Sequence, residues 1–444
     1  MKKLFTLRTF ISLLITICIA SCSPYHKIAR QANLALINDS IASHAHIGIS
    51  IFEPGSGKYW YNHNADKYFT PASNTKLFTL YAGLKYLGDS LPGLKVSFKP
   101  GKVFIVPTGD PTFLHPQYPQ QRVFDFLHML RDSIVIINSN WKEDAFGRGW
   151  AWDDYNSDDM IERSSFPIYN NSIRWIEQHD SSRAGNVGTY VFSEPDINWS
   201  VKFTDDSTSR SFKVIRDQDA NVFRITFGKQ RQNEVQIPFI THGLGSALEL
   251  LRDTLHKSMI ISVDEPAGNF TIVHSRPVDS LFIPMMHRSD NFFAEQTLLM
   301  VSNVKLGYMN DFQIINHLIK NDLHDIPQKP TWVDGSGLSR YNLFTPKDLV
   351  YIINKLKEDF GLARLKTILP TGGTGTLSSL YKKDSGYIFA KTGTLSNQTA
   401  LSGFLITKKE KLVIFSILVN DFQAGATPIR KAIEKFLSYI RQHN

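Results

Sequence analysis

The sequence of 444 residues is poor in cysteine: it contains only Cys18 and Cys22, both near the amino terminus. Removal of the residues before Cys22 would leave a single thiol, so no internal disulfide is expected. The sequence has no His-Glu dipeptide, which excludes the H-E-x-x-H zinc motif, and one cysteine cannot build a thiolate cluster. The sequence therefore argues against both a disulfide framework and a metal centre.

Other motifs and compositional signals are also missing. There is no G-x-S-x-G sequence, and residues 386–392 lack the second glycine and the Gly-Lys pair of a phosphate-binding loop. We found neither tandem repeats nor low-complexity tracts. The net charge of +8 is spread along the chain without a basic block, which is too diffuse to predict nucleic-acid binding and equally suits a polyanionic cell wall. Nucleotide chemistry is therefore disfavoured.

The first residues have the pattern of an export signal. Two lysines follow Met1, and residues 10–20 form an apolar run that is too short to span a bilayer, for which a helix needs about 20 apolar residues. This run ends in Ile19-Ala20-Ser21-Cys22, which resembles a bacterial lipobox. We expect residues 1–21 to be removed and Cys22 to be lipidated, with an ordinary signal peptide as the alternative. The expected location is the periplasm, and Ser23 after the anchor favours the outer membrane.

The length predicts two or three folded units. Helices are expected at residues 25–42, from residue 72 onward, at 244–255 and from residue 428, and strands at 46–52, 58–61, 387–391, 399–407 and 412–419. Because both ends of the chain supply strands and helices, residues 22–88 and 280–444 are expected to form one antiparallel sheet covered by helices. Residues 89–279 contain short strand-like runs and are expected to form one or two inserted domains. The predicted fold class is multi-domain α+β.

Three short motifs follow one another in the order expected of a serine acyl-transfer site. They are Ser73-Asn74-Thr75-Lys76, Ser289-Asp290-Asn291 and Lys391-Thr392-Gly393. S-x-x-K occurs four times, but S-x-N and K-T-G occur once each, and only Ser73 precedes both while opening an amphipathic helix. A spacing of three places Lys76 one turn beyond Ser73, beside its hydroxyl. The alternative for the isolated motif is a helix cap followed by a solvated lysine.

The ordered set resembles that of penicillin-binding proteins and serine β-lactamases. Longer blocks around the three motifs, together with residues 109–112 and 334–340, are similar to the D-alanyl-D-alanine carboxypeptidase/endopeptidase family, the low-molecular-mass class C penicillin-binding proteins. This resemblance implies a transpeptidase-like fold, an antiparallel sheet flanked by helices, with a large inserted domain rich in β-strands. It also implies a serine peptidase that cleaves peptidoglycan stem peptides without metal or cofactor and is acylated by β-lactam antibiotics. One departure is Thr374, where the family has an acidic residue.

A serine hydroxyl needs a neighbouring base, and a lysine can serve only when it is neutral. We therefore expect Lys76 to activate Ser73, with the pKa of Lys76 lowered by repulsion from Lys391 and, in addition, by burial. Ser289 is expected to pass a proton to the departing amine and Asn291 to hold the substrate peptide group. The substrate and its terminal carboxylate are expected to contact Lys391, Thr392, Gly393 and Thr394. The backbone N–H groups of Ser73 and Thr394 are expected to form the oxyanion hole.

Two alternative functions fit the same sequence: a serine β-lactamase, or a non-catalytic wall-binding lipoprotein with the same fold. Glu194 begins a segment similar to the deacylating glutamate loop of class A β-lactamases, but it precedes the S-x-N motif, and we interpret it as a hairpin turn. The glycines around Asp334 indicate a tight turn near the cleft. The balance between carboxypeptidase and endopeptidase action and the oligomeric state stay open.

Overall fold

The computed structural model describes residues 24–444, except residues 40, 41, 43, 181–187, 205–210, 230, 231, 265, 267 and 424. The predicted signal peptide and Cys22 lie outside the described residues. The helices are α1 (Pro24–Ala32), α2 (Lys76–Tyr86), α3 (Arg122–Met129), α4 (Gly245–Leu255), α5 (Asp279–His287), α6 (Asn291–Leu306), α7 (Asp311–Asn321), α8 (Pro346–Phe360), α9 (Leu362–Ile368) and α10 (Ala426–His443). Within this part of the chain, no helix combines the length and the apolar composition needed to cross a membrane.

Sixteen strands of the described chain form four sheets. The strands are β1 (His46–Glu53), β2 (Lys58–His63), β3 (Ser90–Lys99), β4 (Lys102–Pro107), β5 (Ser133–Ile137), β6 (Ser172–Asp180), β7 (Gly188–Glu194), β8 (Ser200–Thr204), β9 (Lys213–Arg216), β10 (Val222–Thr226), β11 (Gln232–Pro238), β12 (Met259–Ser262), β13 (Thr271–Pro277), β14 (Ile388–Leu395), β15 (Gln398–Ile406) and β16 (Leu412–Asn420). The main sheet has the order β14-β15-β16-β1-β2 and is antiparallel throughout.

The main sheet joins the two ends of the chain, as the sequence predicts. β1 pairs with β16 from His46 opposite Asn420 to Phe52 opposite Ile414. Both faces of this sheet are buried. Ile414 and Leu418 belong to the apolar core that contains α2, α6 and α8, whereas Phe415 belongs to the core under α1 and α10. The alternation follows from the two-residue period of a strand and makes the sheet the middle layer of three.

Residues 90–277 contain the three remaining sheets, of order β12-β5-β4-β3-β13, β11-β6-β7 and β8-β10-β9. They share an apolar core that includes Trp175, Phe223 and Leu251. This part of the chain is rich in strands, as predicted. The proposed domain boundaries at 88/89 and 279/280 stay a prediction.

Several local expectations need correction. The first helix does not continue to residue 42: α1 ends at Ala32 and one turn of π-helix follows over Asn33–Ile37. The segment at Glu194 is not a hairpin turn, because β7 pairs with β6 whereas β8 pairs in parallel with β10, so the loop connects two sheets. The strand expected at residues 387–391 does not stop there, since β14 continues through the K-T-G motif to Leu395. α10 starts at Ala426 rather than at residue 428.

Candidate active site

Ser73 and Lys76 lie at the entrance to α2, in the core of the molecule. The chain makes one 3₁₀ turn over Ala72–Thr75 and then continues as the α-helix. The half-buried Ser73 hydroxyl accepts a hydrogen bond from the Lys76 Nζ at 3.0 Å, and the lysine side chain is fully buried. The predicted contact between these two side chains is therefore present, whereas a solvated Lys76 is excluded.

The Lys76 ammonium is fixed by two further acceptors. Its Nζ donates to the Asn291 Oδ1 at 2.6 Å and to the Ser336 carbonyl at 2.8 Å. Burial lowers the pKa of Lys76 from 10.5 to about 8, against the opposing effect of the Asp334 and Glu295 carboxylates. Burial, rather than the expected repulsion from a second lysine, is thus the main cause. Near neutral pH an appreciable fraction of this lysine is the free amine.

The S-D-N motif combines a strained residue, a helix cap and the first residue of a helix. Ser289 has a φ of 63°, in the left-handed region that a non-glycine residue rarely adopts. The Asp290 carboxylate then caps α6 by accepting the Phe293 N–H at 2.9 Å. Asn291 is the first residue of α6 and therefore points from the helix end towards Lys76. The left-handed backbone at Ser289 turns the chain, and Ser289 and Asn291 therefore both face the cleft although only one residue separates them.

Lys391 lies on β14, the edge strand of the main sheet, and is fully buried. Its Nζ donates to the Ser289 Oγ at 2.9 Å and to the carbonyl of Thr392 at 2.7 Å. Burial, together with repulsion from Lys76 and Arg430, lowers the pKa of Lys391 well below its usual value. The site therefore contains two serine–lysine pairs, Ser73–Lys76 and Ser289–Lys391.

The glycine of K-T-G allows the nucleophile and the edge strand to approach each other. A Cβ on Gly393 would lie 2.7 Å from the Pro71 carbonyl and 3.1 Å from the Ser73 nitrogen. The Asn74 amide also donates to the Lys391 carbonyl at 3.1 Å, which ties the turn to the strand. The backbone nitrogen of Ser73 is consequently held beside the residue before Thr394, as an oxyanion hole from these two N–H groups requires.

The glycine-rich segment after Asp334 forms the predicted turn at the cleft. Gly337 has a φ of 83°, and a Cβ there would lie 2.0 Å from the Ala72 carbonyl, so only glycine fits. The buried Asp334 carboxylate accepts the backbone N–H groups of Gly337 and Ser339 at 2.8 and 2.6 Å. This turn places the Ser336 carbonyl on Lys76 and supplies no second nucleophile.

These elements surround a cleft of about 310 Å³. Five of the predicted site residues line it, whereas Lys76, Lys391 and Gly393 lie directly behind the lining. The lining residues among the described part of the chain are Ser73, Asp159, Arg288, Ser289, Asn291, Gly337, Leu338, Thr376, Thr392, Thr394, Leu395 and Arg430. The sequence interpretation missed Asp159, Arg288 and Arg430.

Asp159 brings the long segment between the motifs into the site. The Asn291 Nδ2 donates to the Asp159 carbonyl at 2.9 Å, across 132 positions of sequence. The Asn291 amide is thus oriented from both ends, by Asp159 on one side and Lys76 on the other. No local sequence pattern predicts the role of Asp159, because this residue contacts Asn291 through its backbone carbonyl.

The loop that departs from the family pattern still reaches the cleft. The Thr374 hydroxyl closes a turn by accepting from the Thr371 N–H at 3.0 Å and donating to the Thr371 carbonyl at 2.8 Å. Two residues later, Thr376 lines the cleft. In the described residues, no group of three or more His, Cys, Asp or Glu side chains is arranged to hold a metal ion.

The fold and the three motifs together define a protein of the penicillin-binding class. The superposition on the crystal structure of penicillin binding protein 4 from Haemophilus influenzae has a TM-score of 0.74 at 20% identity and covers 94% of this chain and 99% of that one. The structure of the same protein in complex with a β-lactam gives a TM-score of 0.70 at 18% identity, over the same shares of the two chains. The predicted fold class is confirmed.

The chain belongs to the D-Ala-D-Ala carboxypeptidase 3 (S13) family, whose model matches residues 30–440. It is 29% identical to the carboxypeptidase DacB of Mycolicibacterium smegmatis over 211 residues. This match covers less than half of either protein, 44% of this chain and 45% of the relative. It is 22% identical to a D-alanyl-D-alanine carboxypeptidase of Actinomadura sp. over 89% of this chain and 81% of the relative. The family inferred from the sequence is confirmed.

Proposed function

We propose that this protein is a serine-type D-Ala-D-Ala carboxypeptidase and DD-endopeptidase that cleaves peptidoglycan stem peptides through an acyl-enzyme on Ser73. The observation that carries the proposal is the contact of 3.0 Å between the Ser73 Oγ and the Lys76 Nζ, beside the Ser289–Lys391 pair on one cleft. Membership of the S13 family supports the same reaction. The β-lactam complex of the similar penicillin binding protein 4 supports a β-lactam as inhibitor.

Acylation begins with proton transfer from Ser73 to neutral Lys76. The serine oxygen then attacks the carbonyl carbon of the penultimate D-alanine, and the negative charge on the carbonyl oxygen is stabilised by the backbone N–H groups of Ser73 and Thr394. Asn291, held from both ends of its amide, positions the substrate's peptide group. Each of these groups is in place before substrate binds, which reduces the reorganisation that the reaction requires.

Collapse of the tetrahedral intermediate breaks the peptide bond, and the departing amine takes a proton from the Ser289 hydroxyl. Lys391 holds that hydroxyl by a hydrogen bond. The proton that Lys76 took from Ser73 then passes on to Ser289, which leaves Lys76 neutral again. Water then attacks the acyl-enzyme with the help of the same basic groups, which releases the shortened peptide and restores Ser73. The reaction needs no cofactor.

The β-lactamase alternative depends on a glutamate that activates water for deacylation. The carboxylate of Glu194 is instead ion-paired with Arg174 at 2.6 Å on an exposed part of β6 and β7, and Glu194 is not among the residues that line the cleft. We therefore expect the penicilloyl-enzyme to persist rather than to turn over rapidly.

Incubation with a fluorescent penicillin should label Ser73, because a β-lactam presents a strained amide to the same nucleophile. The labelled peptide is identified by mass spectrometry after proteolysis. Ser73→Ala should abolish the label, whereas Ser379→Ala should leave it unchanged: Ser379 also begins an S-x-x-K sequence, but it is exposed. A stable label on another serine would contradict the site assignment, and rapid hydrolysis of penicillin with no trapped adduct would favour a β-lactamase.

We also propose that the protein is lipid-anchored through Cys22 and faces the periplasm. Ser23 after the anchor favours the outer membrane over the inner membrane. Metabolic labelling with a fatty acid should be lost in Cys22→Ser, because only the thiol can accept the diacylglyceryl group. Cys18→Ser is the matched control, since it changes the other cysteine within the segment to be removed. Undiminished labelling of the Cys22 variant would contradict the lipobox assignment, and a wild-type protein without any label would mean that the segment is an ordinary signal peptide.

A further inference from the structure

A second cavity, of about 400 Å³, adjoins the catalytic cleft. The two share the residues Asp159, Arg288, Ser289 and Asn291, so the S-D-N motif forms a common wall. None of the residues of β14 lines the second cavity, which therefore lies apart from the K-T-G strand. Its volume is within the range of small-ligand sites, about 300 to 1,000 Å³.

His115 offers the second cavity a buried hydrogen-bond donor. The residue lines the cavity and is 9% exposed, and burial lowers its pKa to about 3, so the imidazole is neutral. Its Nδ1 accepts the Gln117 N–H at 3.1 Å, which places the single ring proton on Nε2. The hydrogen bonds among the described residues leave this Nε2–H without an acceptor. A ligand oxygen at this position would supply one.

Asn170 contributes a second incompletely bonded polar group. It is the middle one of three successive residues, 169–171, whose φ values of 46° to 60° lie in the left-handed region. Its side chain lines the cavity and is 7% exposed. Within the described part of the chain, its amide nitrogen contacts only the Ser172 Oγ, at 3.5 Å, and its oxygen has no partner. A bound hydroxyl or amide group would remove the penalty of this unpaired carboxamide.

The rest of the lining disfavours apolar and anionic ligands. Ile161 is the only aliphatic side chain among the described residues that line the second cavity. Three carboxylates, those of Asp158, Asp159 and Asp290, are present with one arginine, Arg288, which already pairs with Asp290 at 3.3 Å. Burial and the charge of Asp159 raise the pKa of Asp158, and no cation opposes them. The carboxylates of a stem peptide would therefore be repelled here.

A third cavity, of about 510 Å³, continues the row on the far side of the second. It shares Asp158 and Gln236 with the second cavity and is lined further by residues 213–215 of β9 and 234–237 of β11. The three cavities thus lead from the nucleophile to the strand-rich part of the chain. Adjoining cavities of this kind suit a ligand that is built of linked units.

We propose that the second cavity binds an N-acetylated sugar of the glycan strand to which peptidoglycan stem peptides are attached. This inference rests on the proposed function and deepens it. The sugar hydroxyls donate to the carboxylates and to the Asn170 oxygen, and a hydroxyl or acetamido oxygen accepts the His115 Nε2–H. An ammonium group would satisfy the carboxylates, but it has no acceptor for that N–H. The third cavity offers space for the next sugars of the strand.

The first test compares a stem peptide that carries the N-acetylated disaccharide with the same peptide without it. The wild type should have the higher kcat/KM for the sugar-bearing peptide. His115→Phe removes the donor but keeps a ring to pack against Phe293, and Asn170→Gly removes the carboxamide at a φ that glycine tolerates. Each variant should reduce this advantage about 2- to 12-fold, the effect of one neutral hydrogen bond, and leave the bare peptide within about twofold.

Two control variants make the same exchanges elsewhere. His128→Phe changes an exposed imidazole on α3, and Asn64→Gly changes an exposed asparagine whose φ is 46°. Neither residue lines the second cavity, so both variants should keep the wild-type ratio of the two kcat/KM values. This ratio does not depend on how much of a variant is folded, so a partly unfolded preparation still gives a decision.

Calorimetric titration with a free N-acetylglucosamine tetramer tests the second cavity without catalysis. Binding that weakens in His115→Phe and Asn170→Gly supports the site, and without a kcat/KM advantage it assigns the cavity to a neighbouring strand rather than the attached one. If neither binding nor an advantage is seen, if both persist unchanged in the two variants, or if lysine amide binds in place of the sugar, the inference is overturned and the proposed function stands. If the wild type cleaves neither peptide, the proposed function fails, and the titration alone decides the inference.

Discussion

Acylation by a β-lactam should fall by about 10²- to 10⁴-fold in Lys76→Ala, because general-base assistance of the nucleophile is lost. The side chain that disappears is the one that contacts the Ser73 hydroxyl at 3.0 Å, whereas the second buried amine of the site, Lys391, donates to Ser289 instead. The second-order rate constant of acylation, followed with a fluorescent penicillin, measures the effect. The control is Lys85→Ala on the same helix. Lys85 forms an ion pair of 2.6 Å with Asp322, and neither residue lines the cleft.

The pH profile separates a base from a merely structural lysine. Lys76 works as a base only after losing its proton, and burial lowers its pKa to about 8. The wild-type rate constant should therefore rise about tenfold per pH unit below that value and level off above it. The residual rate of Lys76→Ala should lack this rise. A flat wild-type profile between about pH 6 and 9, or a variant with the same profile, would contradict the assignment.

The catalytic motifs were predictable because each carries its signal in a few adjacent residues. The contact between Ser73 and Lys76 follows from their spacing of three at the start of a helix. The antiparallel sheet followed from strand-like alternation at both ends of the chain. The first helix was predicted too long because its apolar residues continue into the π-helical turn after Ala32, and periodicity alone does not detect that change.

The missed contributors are those whose position is set by tertiary packing. Asp159 acts through its carbonyl across a sequence separation of 132 residues, which leaves no trace in residue type. Arg430 lay within a predicted helix, directly after one of the apolar positions that bury it. The sequence did contain one indication of Arg430: a basic residue next to the buried apolar positions of a helix that packs against the main sheet. The Glu194 segment misled because two strands adjacent in sequence belong to different sheets.

A buried ion cluster lies next to the site, and removal of its arginine should be strongly destabilising. Arg163 is almost completely buried, and its guanidinium faces the carboxylates of Asp311 at 2.6 Å, Glu143 at 3.3 Å and Glu295 at 3.4 Å. Glu295 in turn accepts the Ser336 N–H at 2.7 Å, and the carbonyl of Ser336 holds Lys76. The cluster therefore supports the turn that positions the proposed base.

Arg163→Met should lower the free energy of unfolding by about 3 to 5 kcal/mol, because it leaves buried carboxylates without their cation. The matched control is Arg174→Met, which removes an arginine that pairs with two carboxylates, Glu194 and Glu234 at 2.6 Å each, on the exposed face of a sheet. Exposed pairs of this kind contribute at most about 1 kcal/mol. Urea unfolding followed by tryptophan fluorescence compares the two variants with the wild type.

The deficit of Arg163→Met should also depend on pH, in a direction set by Glu295. Burial raises the pKa of this carboxyl from 4.5 to about 7 in the folded protein. Between these values the folded state retains a proton that the unfolded state has lost, so ionisation of Glu295 makes the folded state less stable as the pH rises. Without Arg163, the ionised carboxylate has lost its nearest cation, and the deficit should be larger at about pH 8 than at about pH 5. Equal deficits at the two pH values, or a loss in Arg174→Met as large as that in Arg163→Met, would show that the cluster does not act through buried charge.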